Sequence, residues 1–264
     1  MAFIDDSCAF DADSIEVSVV GIAAELGQHD SGIHQHRKGQ LLYAPQGCIT
    51  LTLDNALCIL PPTKAVWIPP HVPHRAQMTN VVAYRSLYFD TDVFECPEEI
   101  TTIKVNDLLK ALINKIALWE WDIAEHKTHN TSALFWEEFH SLTHQTLMLP
   151  LPTDRRLARF CTQVNKADFI VPPLNVLASS VGASSKTISH LFKAEAGMTY
   201  QDWRQQWRLI KAIELLAQNR TVTDTAHYLE FSSNSAFIAF FKQQTGQTPL
   251  TFTKLGRDCS NPNS

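Results

Sequence analysis

Phe192-Lys193-Ala194-Glu195-Ala196-Gly197-Met198-Thr199 is followed 49 residues later by Phe241-Lys242-Gln243-Gln244-Thr245-Gly246-Gln247-Thr248. Both stretches read F-K-x-x-x-G-x-T, an internal repeat with the period of a supersecondary unit. Before each copy an alanine precedes a turn and a serine follows it: Ala178 and Ser184, then Ala226 and Ser233. A small side chain lets two helices cross closely, and serine is a preferred N-cap. The repeat therefore predicts two helix-turn-helix units, at about residues 174–195 and 222–245.

The segment between the copies, Tyr200 to Gln218, contains neither glycine nor proline and is rich in good helix formers. We predict one continuous helix, which at 1.5 Å per residue is roughly 28 Å long. A turn of B-DNA advances about 34 Å, so a stiff helix of this length can set two recognition helices in successive major grooves. The alternative is a plain helical bundle that matches by accident. The agreement of both copies at the cap, the apolar spacing and the repeat argues against it.

Residues from about Leu174 to Phe252 resemble the DNA-binding domain of AraC/XylS-type regulators. The matching motifs are the A-x-x-x-G turn from Ala178, the S-x-x-x-I-x-x-L-F-K recognition helix from Ser184, the G-x-T-x-x-x-W-R connector from Gly197 and the terminal F-K-x-x-x-G-x-T-P that ends at Pro249. The resemblance implies a transcription regulator with two helix-turn-helix units per subunit. Its expected partners are double-stranded promoter or operator DNA and a small-molecule effector.

The formal net charge of −5 is unevenly distributed along the 264 residues. Residues 154–264 carry thirteen Lys and Arg against eight Asp and Glu, whereas residues 1–153 carry nine against nineteen. A basic C-terminal half on an acidic protein indicates that a nucleic-acid surface lies on one domain only. The length itself favours two domains.

The six cysteines show no C-x-x-C spacing, which argues against a structural zinc finger and favours reduced thiols in a cytosolic protein. The N-terminus lacks the basic region and apolar core of a signal peptide. No run approaches the ~18 apolar residues of a membrane span. These features predict a cytoplasmic protein with no membrane partner.

Between Gly32 and Pro97 the chain reads as short apolar runs separated by glycine and proline, which predicts an antiparallel barrel or sandwich. The runs that start at Gly39 and Ala65 resemble the cupin-like effector domain that AraC/XylS-type regulators place before the DNA-binding domain. The resemblance implies an all-β cupin-like (RmlC-like jelly-roll) barrel, then linker helices and an all-α domain with two helix-turn-helix motifs. Trp67 is expected to pack inside the barrel rather than to contact an effector.

Three histidines and a glutamine in this region follow the pattern His34-x-His36-x-x-x-Gln40 and then His74. Residues two apart on a strand point to one face, so we expect His34, His36 and Gln40 on one face and His74 on a strand beside them. The set resembles the cupin pattern H-x-H-(x)3-4-E … H, which implies these four residues as ligands of a divalent metal, zinc or nickel. Gln40 replaces the usual glutamate, and a neutral amide is a poorer ligand than a carboxylate.

Three interpretations of this constellation stay open. The histidines are interior polar residues without a ligand, or they bind a metal ion, or they line a pocket for a small organic effector with or without a metal. The second and third interpretations both fit a sensor domain.

The apolar period changes from two to about 3.6 after Asn106, which is placed to cap a helix. A second helix is predicted from Ser132 to Leu149, with a turn over Glu120–Asn130, and another helix from Arg155 to Asp168. We assign residues 1–104 to the cupin-like sensor domain, 105–149 to a helical linker and dimerisation region, and 150–264 to the DNA-binding domain. The linker helices predict a homodimer.

The resemblance also assigns DNA contacts on the exposed faces of both recognition helices. Base-contact positions are those of Lys186, Ser189, His190, Asn234, Ser235 and Ala239, with Ser185 on the same exposed face, while Lys193 and Lys242 are expected to meet phosphate. Glu230 stands where the family has glycine in the second turn, so a positive φ there would cost roughly 1–2 kcal/mol.

The sequence thus predicts a DNA-binding transcription regulator that is not an enzyme. The competing hypothesis is a cupin metalloenzyme with an appended DNA-binding domain. That hypothesis requires a stoichiometric metal and an acid/base partner, and the glutamine at position 40 argues against it.

Overall fold

The computed structural model describes residues 10–26, 29–54, 56–78, 82–142, 148–164, 166, 168–245 and 247–258. The chain divides into two compact units. The first unit comprises the described residues within Met1–Thr52, Ile59–Leu147 and Thr253–Ser264, and the second those within Leu53–Cys58 and Met148–Phe252. Among the described residues, no helix combines the length and the apolar composition that crossing a bilayer requires.

Two antiparallel five-stranded sheets build a cupin-like fold, which confirms the predicted class. One sheet has the order β1-β8-β3-β6-β9 and the other β10-β5-β4-β7-β2. The strands are β1 Val19–Leu26, β2 His29–Asp30, β3 Gly39–Gln46, β4 Ile49–Leu53, β5 Ala56–Leu60, β6 Lys64–Ile68, β7 His74–Met78, β8 Val82–Phe89, β9 Thr101–Lys104 and β10 Met148–Pro150.

Helices α1 (Asp107–Ala117) and α2 (Glu125–Ser141) pack against the first sheet. Asn106 caps α1 by accepting a hydrogen bond from the backbone N–H of Leu109 at 2.8 Å, as predicted. The approach of α1 to β1 is close because Gly21 has no side chain: a Cβ there would lie 2.0 Å from the carbonyl oxygen of Ile116. The glycine therefore sets how near this helix lies to the sheet.

Aromatic side chains form the core between α2 and the first sheet. Phe135 stacks on Phe89 with ring centroids 5.0 Å apart, and Trp136 meets Trp67 edge-on at 5.1 Å. Trp67 is fully buried and donates its indole N–H to the carbonyl oxygen of Pro97. Trp67 thus has a packing role, as predicted, but in the core between the sheet and the helices rather than inside the barrel.

The described part of the second unit is mainly helical, and its strand residues include β10, which pairs with residues 56–58 of β5. Its connector helix is α6, which begins at Tyr200 with Thr199 as N-cap and ends one residue before the predicted Gln218. The helices are α3 Ala158–Gln163, α4 Leu174–Ser180, α5 Ser185–Glu195, α6 Tyr200–Ala217, α7 Val222–Tyr228, α8 Asn234–Thr245 and α9 Pro249–Asp258, the last of which runs beyond Phe252.

Three predicted helix boundaries are wrong. The predicted turn over Glu120–Asn130 is partly helical because α2 already starts at Glu125, and Thr128 is buried against the core. The predicted helix from Ser132 does not reach Leu149, which lies in β10, while residues 143–147 lie outside the described part. The helix predicted over Arg155–Asp168 is shorter in the structure and spans Ala158–Gln163.

Candidate functional site

Three imidazoles meet on one wall of the first unit. His34 and His74 form an isolated antiparallel bridge, with backbone hydrogen bonds of 2.9 Å in both directions. The ring centroids lie 4.4 Å apart for His34 and His74, 4.9 Å for His34 and His36, and 5.6 Å for His36 and His74. One ring nitrogen from each residue lies within 4.8 Å of the other two. The predicted grouping of the three histidines is confirmed.

The backbone that achieves this grouping differs from the prediction. His34 and His36 do not lie on a regular strand, because Gly32 takes a φ of 66° and the chain continues to β3 as an irregular segment. The carbonyl of His36 is fixed by the backbone N–H of His71 at 2.8 Å. Of the three histidines, only His74 occupies a strand position, as the first residue of β7.

Backbone carbonyls orient two of the three rings. Nδ1 of His34 lies 3.1 Å from the carbonyl oxygen of Gly32, and Nδ1 of His74 lies 2.9 Å from that of Val72. A carbonyl can only accept a hydrogen bond, so Nδ1 donates in both rings, and in the neutral ring Nε2 is then the nitrogen that has the lone pair. Second-sphere carbonyls orient metal-binding histidines in the same manner.

Burial favours the neutral forms of His36 and His74. Burial lowers the pKa of His74 to about 4, and the backbone hydrogen bond to Val72 offsets this only in part. Burial also lowers the pKa of His36, and the charge of His34 adds to the effect while Asp13 and Asp11 oppose it. Nε2 of His36 and Nε2 of His74 are buried without a hydrogen-bond partner in the described part of the protein. Lone pairs of this kind can bind a metal ion or a hydrogen-bond donor.

Gln40 joins this wall from β3 and is 2 % exposed. Its Nε2 donates to the hydroxyls of Ser86 and Tyr88, both at 2.9 Å, and its Oε1 has no partner among the described residues. The Tyr88 ring meets that of His36 edge-on at 4.9 Å. The structure thus brings all four predicted residues of the constellation to one cavity.

The cavity has a volume of about 460 Å³ and combines this polar wall with an apolar one. Two carboxylates also line it, and both are engaged by other groups. Asp30 accepts from Arg75 and from the backbone N–H of Gly32, and the Arg75 hydrogen bond holds the Asp30 pKa well below its usual range. Asp11 accepts from the backbone N–H of Asp13. The apolar wall consists of Phe10, Ile22, Leu42, Ala76 and Met78.

The first predicted recognition helix, α5, starts at the predicted cap. The hydroxyl of Ser184 accepts from the backbone N–H of Thr187 at 3.1 Å. Ile188 and Phe192 bury the inner face of the helix. The outer face carries the predicted DNA contacts: Ser185, Lys186, His190 and Lys193 are exposed, and Ser189 is half-buried.

The second recognition helix, α8, repeats this arrangement. Ser233 accepts from the backbone N–H of Ala236 at 3.1 Å, and Phe237 and Phe241 bury the inner face. The side chain of Asn234 also donates to Thr223 Oγ1 at 2.8 Å, which fixes its orientation. The predicted contacts Asn234, Ser235, Ala239 and Lys242 are all exposed.

The turns of the two units share a left-handed residue at the same position. Gly182 has a φ of 66° in the first turn, and Glu230 has a φ of 56° in the second, so the condition under which a side chain at position 230 is strained is met. Glu230 pairs with Arg204 of the connector helix at 3.7 Å.

The connector helix contains a buried ion pair that was not predicted from the sequence. Lys211 Nζ lies 2.9 Å from Glu214 Oε2, and the two residues are only 6 % and 9 % exposed. The signal that could have revealed it is their i, i+3 spacing on a helix that is apolar over much of its surface.

Comparison with known proteins places two family profiles on this chain. Residues 16–158 match the AraC-like ligand binding domain, and residues 177–254 match a helix-turn-helix domain. The HTH-type transcriptional regulator NimR of Escherichia coli K12 is 34% identical over 229 residues, which cover 86% of this chain and 84% of that protein. The HTH-type transcriptional regulator RipA of Corynebacterium glutamicum is 34% identical over 107 residues, 39% of this chain and 31% of its own.

Among solved structures, that of unsaturated fatty acid bound wild-type ToxT from Vibrio cholerae aligns with 90% of this chain and 95% of its own. The sequence identity is 9% and the TM-score is 0.38, which is too low to support an inference.

Proposed function

The chain belongs to the AraC family of transcription regulators, and we propose that α5 and α8 bind promoter or operator DNA under the control of an effector in the histidine-lined cavity. We also propose which residues contact DNA, what occupies the cavity and that the protein forms a dimer. The domain boundaries at residues 104 and 149 stay a prediction.

One observation carries the DNA-binding proposal. Two capped helices with polar outer faces are joined by an unbroken helix, α6, of roughly 27 Å for its 18 residues. That length is close to the ~34 Å turn of B-DNA, so both outer faces can enter major grooves on one side of the duplex. Lys and His can reach guanine acceptors, and Asn can read adenine.

The test begins by selecting fragments of the source genome that the full-length protein retains. On a selected fragment, the double variant Lys186→Ala/His190→Ala is expected to lose at least about tenfold in affinity, because a good base contact contributes ~1–3 kcal/mol. The matched control is Lys104→Ala/His71→Ala, which removes the same residue types from exposed positions outside the recognition helices and outside α1 and α2. Unchanged sequence-specific binding by the first variant, with folding intact, contradicts the assigned contacts.

We propose that the cavity holds a divalent transition metal, zinc or nickel, bound by His34, His36 and His74 with Gln40 beside them. The residues fit such an ion. Three nitrogens converge, two rings have their lone pairs fixed by backbone carbonyls, and burial favours the neutral, metal-binding form. Elemental analysis of the purified protein, with His74→Ala as the comparison, tests this. Equal metal content in both proteins counts against the site.

The family assignment disfavours the hypothesis that the protein is a metalloenzyme. NimR and RipA, the relatives named above, are transcription regulators. We propose that the cavity senses rather than catalyses, and that the protein acts in the cytoplasm, where its DNA target lies.

A homodimer is proposed from the outer surfaces of α1 and α2. Leu108 and Leu134 are 45% and 40% exposed on these helices, and Leu118, just after α1, is 56% exposed. Sedimentation analysis is expected to find a dimer that Leu134→Asp weakens. A monomeric wild type at micromolar concentration contradicts the proposal.

A further inference from the structure

We propose that the effector is a small organic carboxylate whose anionic group binds directly to the metal at the three-histidine cluster. This inference rests on the proposed metal site and adds the chemical class of the molecule that the cavity recognises.

The positive charge of a divalent ion at this cluster favours an anionic effector. Neutral imidazoles and an amide contribute no negative charge, so a divalent ion bound by them keeps both of its positive charges. The two carboxylates that line the cavity, Asp30 and Asp11, are engaged by Arg75 and by the backbone N–H of Asp13. An incoming anion therefore supplies a directly bound negative charge, which Asp11 and Asp30 do not, because neither belongs to the group of side chains whose ligand atoms converge.

The coordination of the ion also favours a carboxylate. Zinc sites with three protein nitrogens keep an open position for a further ligand. The protein side chain that could fill this open position is the amide of Gln40, which is a weaker donor than a carboxylate. A carboxylate from outside is therefore the better fourth ligand at this wall.

The size of the cavity and its apolar wall favour an organic molecule. A water molecule occupies ~30 Å³ in the liquid, so a cavity of about 460 Å³ is far larger than an ion with one or two waters requires. It falls within the ~300–1,000 Å³ of small-molecule pockets. The wall away from the histidines is apolar, with Ile22, Leu42 and Met78 among its residues. The molecule that fits is a carboxylate with an alkyl or aryl body.

The experiment uses the full-length protein loaded with Co²⁺, whose visible absorption reports its ligands. One equivalent of Co²⁺ is expected to bind, and acetate, butyrate and benzoate are titrated into the complex. A saturable change in the Co²⁺ spectrum is expected, tightest with the two larger acids. Benzyl alcohol, which has the shape of benzoate without its charge, is the control and is expected to leave the spectrum unchanged.

A charge substitution sharpens the test. Gln40→Glu places a carboxylate beside the cluster, so Co²⁺ is expected to bind more tightly and benzoate more weakly, each by at least about tenfold. Gln46→Glu adds the same charge at the exposed end of β3, the strand that carries Gln40, and is expected to change both affinities little, because Gln46 does not line the cavity. If Gln40→Glu does not fold, by circular dichroism, the wild-type titrations alone decide.

The outcomes separate the two proposals. Absence of Co²⁺ binding overturns both the metal site and this inference, while the DNA-binding proposal stands on its own assay. Stoichiometric Co²⁺ with a spectrum that none of the three carboxylates alters overturns this inference alone. Equal effects of benzoate and benzyl alcohol also overturn it, because they indicate an apolar pocket that does not use the metal.

Discussion

At residue 230 the chain adopts a left-handed backbone conformation with a glutamate side chain. The φ of 56° costs roughly 1–2 kcal/mol for a residue with a Cβ. The ion pair with Arg204 offsets little of this cost, because Glu230 is mostly exposed and such pairs contribute ~0–1 kcal/mol. The strain is therefore retained in a turn that leads into a recognition helix.

Glu230→Gly is expected to raise the free energy of unfolding by up to about 1 kcal/mol. The released strain outweighs the ~0.4–1 kcal/mol that glycine costs through the unfolded state. Gly182→Ala is the converse control in the first turn: a Cβ there meets nothing within 4 Å, so only the backbone conformation opposes it. Urea unfolding of both variants measures the effects. A loss of more than about 1 kcal/mol in Glu230→Gly contradicts the strain argument.

Lys186 and Lys193 lie on the same helix and are expected to act differently on DNA. Lys193→Ala should weaken binding to all sequences alike and reduce the slope of log affinity against log salt by about 1, because one phosphate contact is lost. Lys186→Ala should instead relax sequence preference. Salt titrations on a selected and a scrambled fragment distinguish them, and an identical response of both variants contradicts the assignment.

The roles of some single residues could be predicted from the sequence, and those of others could not. The caps Asn106, Ser184 and Ser233 follow from local preference and were predicted correctly. The proton positions of His34 and His74 were not predictable, since they depend on carbonyls that an irregular backbone brings into reach. The histidines lie close together despite that irregularity because a backbone bridge pairs His34 with His74.

At the scale of elements, the packing of α1 on β1 depends on one missing side chain. Gly21→Ala is expected to destabilise the protein by about 1–3 kcal/mol, because the added methyl clashes with backbone atoms of Ile116 and Ala117 that cannot rotate away. Thermal and urea unfolding measure the loss. Wild-type stability in this variant contradicts the close approach of α1.

The buried pair in α6 gives a second prediction for an element. Glu214→Gln leaves the buried Lys211 ammonium without its carboxylate and is expected to cost about 3 kcal/mol or more. Replacing both residues, as Lys211→Met/Glu214→Leu, is expected to restore most of that stability, since no buried charge remains. A double-mutant cycle in urea measures the coupling. A double variant as unstable as Glu214→Gln argues against the pair as the cause.

Hydrophobic periodicity predicted the boundaries of the connector helix well but missed the start of α2. The connector helix was predicted to within one residue, because Thr199 caps it and no glycine or proline interrupts it. The start of α2 was missed because its first turns are polar, although Thr128 and Ser132 are buried. Small hydroxyl residues can line a core when their hydroxyls bond to their own helix, as Thr128 does to the carbonyl of Glu125.

At the scale of the whole molecule, the repeat predicted the helical DNA-binding domain and the family, while the short strands between Gly32 and Pro97 and the cupin-like pattern predicted the β domain. The sequence did not reveal that residues 53–58 group with the second unit. That grouping follows from the pairing of Met148–Pro150 with residues 56–58, and strand pairing across some ninety positions leaves no periodic signal in the sequence.

The measurement that tests the central claim most directly is hydroxyl-radical footprinting of the full-length protein on a fragment selected from its own genome at moderate salt. Each subunit is predicted to protect two patches on one face of the duplex, about one helical turn (~10 base pairs) apart. Lys186→Ala/His190→Ala should lose the patch that belongs to α5 and keep the patch of α8. A selection that enriches no fragment over bulk DNA, or a single protected patch per subunit, contradicts the account.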